Sequence, residues 1–373
     1  MKQGPLNGTK VIEFGQNLAG PYCGQILSFL GADVTKIERP EGDDARRWGP
    51  PFIDIEDSPA VAFVALNRDK NSFVIDLTDD EDCHNLNRMI GEADVFVHNL
   101  RGDVPGQFGF SAEILTEQYP HLIYASLGAF GHKGPWKDRP GYEPIIQAVA
   151  GLMSINGDPS APPARVGVSI VDLSTGMWTA IGILAALVNR AQNDKGCVVD
   201  TSLFETGLMW ISTHAAMFSS AGVIPQRLSS GHPSLAPYQA FQCADGPLMV
   251  CPGNERLWKK FAVELDQAHW IDDKRFLTNE LRVQRRDKIN QMVDEVMIKK
   301  PRAHWIKKLE AAGVPNAPLN TVPEVLELSQ TKALEMLYQP YEGSNAKFHG
   351  LPLSFNGIRA GNSSKAPRLN EHE

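Results

Sequence analysis

The stretch Val166 to Arg190, VGVSIVDLSTGMWTAIGILAALVNR, sets a single acid between an extended apolar run and a long apolar helix. The run is Val166 to Val171, the acid is Asp172, and the helix is expected from Leu173 to Arg190. Aspartate is favoured as an N-cap because its carboxylate accepts backbone N–H bonds that the first turn leaves open. The positive end of the helix dipole stabilises the charge. A carboxylate held there has two readings, a plain cap or an ionised nucleophile for covalent catalysis. The rest of the chain has to decide between them.

Other catalytic motifs are missing. No GxGxxG follows the first strand, and no Walker loop, HExxH or GxSxG occurs; Gly167-Val168-Ser169-Ile170-Val171 fails the last at its final glycine. The ten histidines lack ligand spacing, and His214 on an apolar helix reads as a core or interface residue. Cys23, Cys83, Cys197, Cys243 and Cys251 form no CxxC, so neither a disulfide framework nor a zinc site is indicated, and free thiols in a reducing compartment are the simple reading. The formal charge of −8 disfavours nucleic acid as a partner, although a local basic groove for an anionic small molecule stays open. No run of about 18 uninterrupted apolar residues is present, so no membrane span is expected. The N-terminus enters a strand without a signal-peptide apolar region, and the expected location is cytoplasmic.

At 373 residues the chain exceeds what one core usually serves, so two domains are expected. Lys10–Phe14 reads as a strand, Gly15–Pro21 as a small-residue loop, Tyr22–Leu30 as a helix and Asp33–Ile37 as a second strand. Further strands are expected at Phe73–Leu77, Val95–His98, Leu122–Leu127 and Cys197–Thr201, separated by helices. This is an α/β pattern with a parallel, doubly wound sheet. The proline- and serine-rich run 222–237 reads as a linker. A hairpin across Ala244-Asp245-Gly246-Pro247 and three helices then suggest a small α+β domain over 238–330. The large domain is placed at 1–221, with 331–373 returning to it. The charges between Arg256 and Arg286 read as a solvated face.

Taken together the segments resemble the class III CoA-transferases, the carnitine dehydratase/bile-acid-inducible type that includes formyl-CoA transferase. LNGTKVIEFGQNLAGPYCGQILSFLGADVTKIERP resembles that family's first strand, AGP loop and LGADV-x-KIE strand. GDDARRWGPPF, LNRDKNSFVIDL, VFVHNLR, RPGYEPIIQAVAGLM, VGVSIVDLSTG and GHPSLAPYQAFQCADG follow in the family's order, so the match spans nearly the whole chain. The resemblance implies that Asp172 is the nucleophile, passing through a mixed anhydride and an aspartyl-CoA thioester without a metal or a redox cofactor. It implies a Rossmann-like large domain plus a smaller one, in an interlocked homodimer. Tyr142 and Glu143 occupy the family's active-site Tyr-Glu position. Arg39, Lys70, Asn99, Leu100, Arg101 and Arg139 lie at or after strand ends, where a CoA nucleotide is expected to bind. Leu18 and Gly20 in the first loop, with Gly231 and His232, form the implied substrate loops. The substrates would be an acyl-CoA and a small carboxylic acid.

The chain departs from the family in places. Leu18 stands where formyl-CoA transferase has glutamine, and Ser229-Ser230-Gly231-His232 lacks its run of glycines. An oxalate/formate pair is therefore disfavoured, and a small dicarboxylate or branched acid with succinyl-CoA or acetyl-CoA as donor is expected. Gln107 stands where many members carry arginine. The tail APRLNEHE stops before the family's further helix. An α-methylacyl-CoA racemase, with histidine where Tyr142 sits, is the rival enzyme, but tyrosine is a poor base near neutral pH. An inactive CoA-ester-binding protein and a dehydrogenase are the remaining alternatives.

Overall fold

The computed structural model describes residues 4–372. The chain divides into two compact units, Met1–Leu152 with Arg165–Thr213 and Gln330–Glu373, and Met153–Ala164 with His214–Ser329.

The first unit is built on six parallel strands: β1 (Lys10–Phe14), β2 (Asp33–Glu38), β3 (Asn71–Val74), β4 (Val95–His98), β5 (Ile123–Gly128) and β6 (Val198–Ser202). They lie in the order β3-β2-β1-β4-β5-β6. Val11 pairs with Val34 on one side and Val95 on the other. The sequence order reverses beside β1, which makes the carboxyl ends of β1 and β4 the switch point where ligands of such sheets bind. β4, VFVH, is buried at all four positions, as strands covered on both faces must be.

The helices here are α1 (Ala19–Phe29), α2 (Val61–Asn67), α3 (Asp80–Gly91), α4 (Val104–Gln107), α5 (Ala112–Gln118), α6 (Glu143–Val149), α8 (Ile170–Asn193) and α9 (Leu203–Trp210), while all but the first residue of the short α7 (Leu152–Ile155) belongs to the second unit. Leu27, Val97, Ile123, Val171 and Ile183 belong to the core that joins α1 and α8 to one side of the sheet. Phe96, Leu86, Ile90, Leu115 and Phe110 form the core on the other. By length and hydropathy α8 would pass for a membrane span. Here one side of it is buried and meets α1, β5 and β6.

The last residues return to this unit. Arg68 donates to the carbonyls of Asn362 and His349 at 2.7 and 2.6 Å. Asn370 Oδ1 accepts from the Val74 N–H at 2.8 Å, satisfying an edge-strand donor on β3.

The second unit holds an antiparallel sheet, β7 (Gln239–Cys243), β8 (Gly246–Val250) and β9 (Asn316–Pro318), with helices packed on Phe241, Trp258, Phe261 and Trp305. Arg282, in the run expected to be solvated, is 2% exposed. It pairs with Glu255 at 2.6 Å and donates to the Ala236 carbonyl at 2.9 Å.

Two further expectations change. The helix carrying Asp172 starts earlier than expected, at Ile170, with Ser169 at its N-cap, so Asp172 lies in the first turn and is not a cap. The helical stretch after β6 breaks at Ile211.

Candidate active site

The segment 15–21, the turn after β1 with the first residues of α1, is held at four points; the helix expected from Tyr22 starts at Ala19. Lys36 Nζ donates to the Gly15 carbonyl at 2.6 Å. Asn99 clamps Gln16 from both sides: its Oδ1 accepts from the Gln16 N–H at 2.9 Å, and its Nδ2 donates to the Gln16 carbonyl at 2.8 Å. Asp43 Oδ1 accepts from the Asn17 N–H at 3.0 Å. Lys70 Nζ donates to the Pro21 carbonyl at 2.8 Å. The lysines are joined by Glu13, 3.2 Å from Lys36 and 2.6 Å from Lys70, and Asp43 lies 3.0 Å from Lys36. All four side chains of this ionic cluster are buried. Burial, with Lys36 adding repulsion, pulls the Lys70 ammonium down to about 8 despite Glu13.

The cluster corrects part of the expected CoA site. Lys70 is 4% exposed, and its ammonium is spent on Glu13, Pro21 and Asn67. It braces the loop and presents no charge to a phosphate. Asn99 likewise spends its amide on Gln16. Lys36, Glu13 and Asp43 were not singled out from sequence. Buried lysines are rare without partners, and only the fold shows that these partners converge.

α8 meets α1 beside the same loop. A Cβ on Gly176 would come within 2.6 Å of the Ala19 carbonyl oxygen and 3.2 Å of the Cys23 nitrogen. The glycine of the VDLSTG segment therefore permits the close crossing of α8, which carries Asp172 one turn earlier, over the start of α1. Gly20 is buried, and a Cβ there would press on Gly15 and reach Asn99. Leu18 is the half-buried residue just before α1.

Asp172 is half-buried, and burial followed by the charge of Glu143 pushes its carboxyl up to about 7. Glu143, the first residue of α6, is 3% exposed. Its Oε1 accepts from Gln147 Nε2 at 2.5 Å and from the Val171 N–H at 3.5 Å. Its Oε2 has no hydrogen-bond partner among the described residues, although Arg165 Nη1 lies 3.7 Å away. Gln147 also accepts from the Val166 N–H at 2.8 Å, which ties α6 to the segment leading into α8. Gln147 lies in a family segment but was not singled out, and both it and Arg165 gain a role only from the fold. Tyr142 is 67% exposed at the N-cap of α6.

A cavity of about 440 Å³ lies at the carboxyl ends of β1 to β4. Phe14, Ile75, Leu77 and Leu100 give it apolar walls, with Gln16 and Arg39 among its polar ones. The Leu100 N–H donates to His98 Nδ1 at 3.2 Å, and His98 Nε2 meets Tyr124 Oη at 2.7 Å. Burial, with His132 adding to it, holds His98 near 3, so the imidazole is neutral and shapes the turn after β4. Arg101 is exposed in that turn. Arg139 lies over Trp136 and Phe130, 5.2 and 5.7 Å from the ring centres, and does not line the cavity. Gly231 and His232 belong to the second unit, where Gly231 N–H donates to the Leu228 carbonyl at 2.7 Å.

The arrangement joins a nucleotide-sized cavity, through the loop that starts at Gly15, to a raised carboxylate at the head of a core helix. That is the equipment of an acyl- or CoA-transferring enzyme. Comparison with known proteins agrees. The profile of CoA-transferase family III matches residues 6–373. Succinate–glutarate CoA-transferase of Agrobacterium fabrum is 33% identical, over 99% of this chain and 94% of the relative. Acetyl-CoA:oxalate CoA-transferase of Acetobacter aceti is 36% identical over the same shares. A solved CAIB/BAIF family protein from Brucella suis superposes with a TM-score of 0.87 at 36% identity, covering 100% of this chain and 98% of that one. The chain belongs to CoA-transferase family III, and it is an enzyme that transfers CoA from acyl-CoA to carboxylate.

Proposed function

We propose that Asp172 carries the reaction as a covalent nucleophile. A carboxylate oxygen of Asp172 attacks the thioester carbonyl of the donor. The C–S bond breaks, CoA leaves as thiolate, and a mixed anhydride remains on the enzyme. The thiolate then attacks the aspartyl carbonyl and expels the donor's carboxylate, leaving an aspartyl-CoA thioester. The acceptor carboxylate attacks that thioester, and the first two steps run in reverse to release the new acyl-CoA. Each step exchanges one anion for another, so no proton has to be moved and no metal or redox cofactor is called for. Splitting one displacement into several is the advantage of covalent catalysis.

The observation that carries this reading is the pairing of Asp172 with buried Glu143. A second carboxylate makes Asp172 a stronger base and nucleophile, at the cost of needing a higher pH to ionise it. Tyr142, exposed beside Glu143, is assigned to positioning the acyl group. The cavity walled by Phe14, Leu77 and Leu100 is assigned to the CoA nucleotide, and exposed Arg101, in the turn after β4, to its pyrophosphate.

For the acids, a small dicarboxylate remains our reading, with succinyl-CoA or acetyl-CoA as donor. The relatives' own names include glutarate and oxalate as acceptors, so oxalate stays in the panel despite Leu18. The test is mass spectrometry of the intact protein with a panel of acyl-CoA donors, trapped with hydroxylamine or borohydride, beside Asp172→Ala. An adduct on the Asp172 peptide, lost in the variant, is the expected result. No adduct, together with exchange of the α-proton into deuterated water, would replace this reading with a racemase.

A further inference from the structure

The nucleotide cavity has an acidic mouth. Arg39 is its cationic lining residue among the described residues. That guanidinium is already committed, to Asp44 at 2.5 Å and to the Gly42 carbonyl at 3.1 Å, with Glu41 3.7 Å away. Glu41 and Asp76 line the same cavity. Beyond Thr78 the chain enters α3 through Asp79, Asp80, Glu81 and Asp82. A helix N-terminus there could hold a phosphate, but the chain fills it with its own charge. Asp79 Oδ1 accepts from the Glu81 and Asp82 N–H groups at 2.8 and 3.1 Å. Asp82 Oδ2 accepts from the Asp76 N–H at 2.8 Å. Gln107, where many family chains place an arginine, adds no charge.

CoA carries two separate charged parts. The pyrophosphate is common to CoA and 3′-dephospho-CoA, and exposed Arg101 is available to it. The 3′-phosphate is a monoester that adds a charge of about −1.5 to −2 near neutral pH. Such a group gains from cations and from open helix N-termini. This mouth offers it Glu41 and Asp76, with the acids that open α3 following Thr78 in the chain. Like charges at that spacing oppose binding, more weakly as salt rises.

We propose that the cavity does not select for the 3′-phosphate, so that the chain accepts 3′-dephospho-CoA and its thioesters as readily as CoA and its thioesters. The inference rests on the assignment of the nucleotide to this cavity. The experiment is calorimetric titration of the full chain with CoA and with 3′-dephospho-CoA at one fixed salt concentration. It is paired with transfer rates from succinyl-CoA and succinyl-3′-dephospho-CoA.

3′-Dephospho-CoA is expected to bind at least as tightly as CoA. Thr78→Lys, at an exposed cavity position, should tighten CoA alone by about tenfold, the scale of one charge-assisted hydrogen bond. CoA binding about tenfold or more tighter than 3′-dephospho-CoA in the unaltered chain would overturn the inference and leave the transferase reading standing. Equal affinities that Thr78→Lys leaves unmoved would overturn the placement of the nucleotide in this cavity, and the inference with it. If neither ligand binds, both the inference and the CoA-dependent mechanism fail.

Discussion

As the proposed nucleophile, Asp172 would couple reactivity to acidity. Its carboxyl titrates near 7 because it is partly buried and faces Glu143. A nucleophile must be ionised, so kcat/KM for the acyl-CoA donor should fall about tenfold per pH unit below that point. Glu143→Gln removes the opposing charge, and the acid limb should then move to lower pH. A pH–rate profile of both proteins checks this, and an unmoved limb would show that Glu143 does not face the nucleophile electrostatically. The same shift bears on stability. In the unfolded chain the carboxyl titrates near ~3.9, so the folded state holds its proton more tightly. Folding stability from this group is therefore lost as pH rises from about 4 to about 7, and is flat above. Asp172→Asn should raise the melting temperature at pH 8, by an amount equivalent to roughly 1–2 kcal/mol, and should do nothing near pH 3. Thermal melts at the two pH values decide it.

At the scale of elements, the segment 15–21 is rigid because charged side chains under the sheet hold its carbonyls and N–H groups. Lys70→Met would leave Glu13 with only Lys36 and would free the Pro21 carbonyl. Breaking a buried ion pair on one side costs about 3–5 kcal/mol, so denaturant unfolding should show a loss of that order. Had Lys70 been a phosphate ligand, the variant would weaken CoA binding and leave stability nearly intact. Gly176 is the other element-scale constraint. In Gly176→Val the new side chain has to displace backbone at Ala19, since a Cβ alone comes within 2.6 Å of that oxygen. The expected result is a folded but less stable chain with a large fall in kcat, because the α1–α8 crossing that places Asp172 is spread. Unfolding curves read beside kcat would test it, and a kcat equal to that of the unaltered chain would show that the crossing does not position the nucleophile.

For the whole molecule, the outward side of α8 and α9 exposes Met177, Trp178, Ile181, Val188, Leu208 and Met209. An apolar surface of that kind marks an interaction face, and the family resemblance proposes a second copy of the chain as its partner. Light scattering at low protein concentration should report the mass of two chains. Ile181→Asp with Met209→Asp should shift it toward one, and a single-chain mass in the unaltered protein would sink the proposal.

The sequence by itself determined the class of fold and the identity of the family. The alternation of short apolar strands with helices specifies a parallel sheet, since strands buried on both faces must be apolar throughout. Local motifs such as AGP, VDLSTG and the Tyr142-Glu143 pair mark the family, and through it the residues proposed for the chemistry. What only the tertiary structure decided is which polar groups are free to act. Lys70 and Asn99 look like ligands in the sequence because both lie at strand ends, yet their hydrogen bonds are consumed inside the molecule. In the sequence Asp172 reads as a cap or a nucleophile; in the fold Ser169 caps the helix, and the charge of Glu143 acts on Asp172. Gly176, Gln147 and the buried Lys36–Glu13–Asp43 cluster gain meaning from neighbours distant in the chain. Patterning reports which face of an element is buried. Partner, distance and ionisation depend on how elements cross, and that is settled only when the chain is packed.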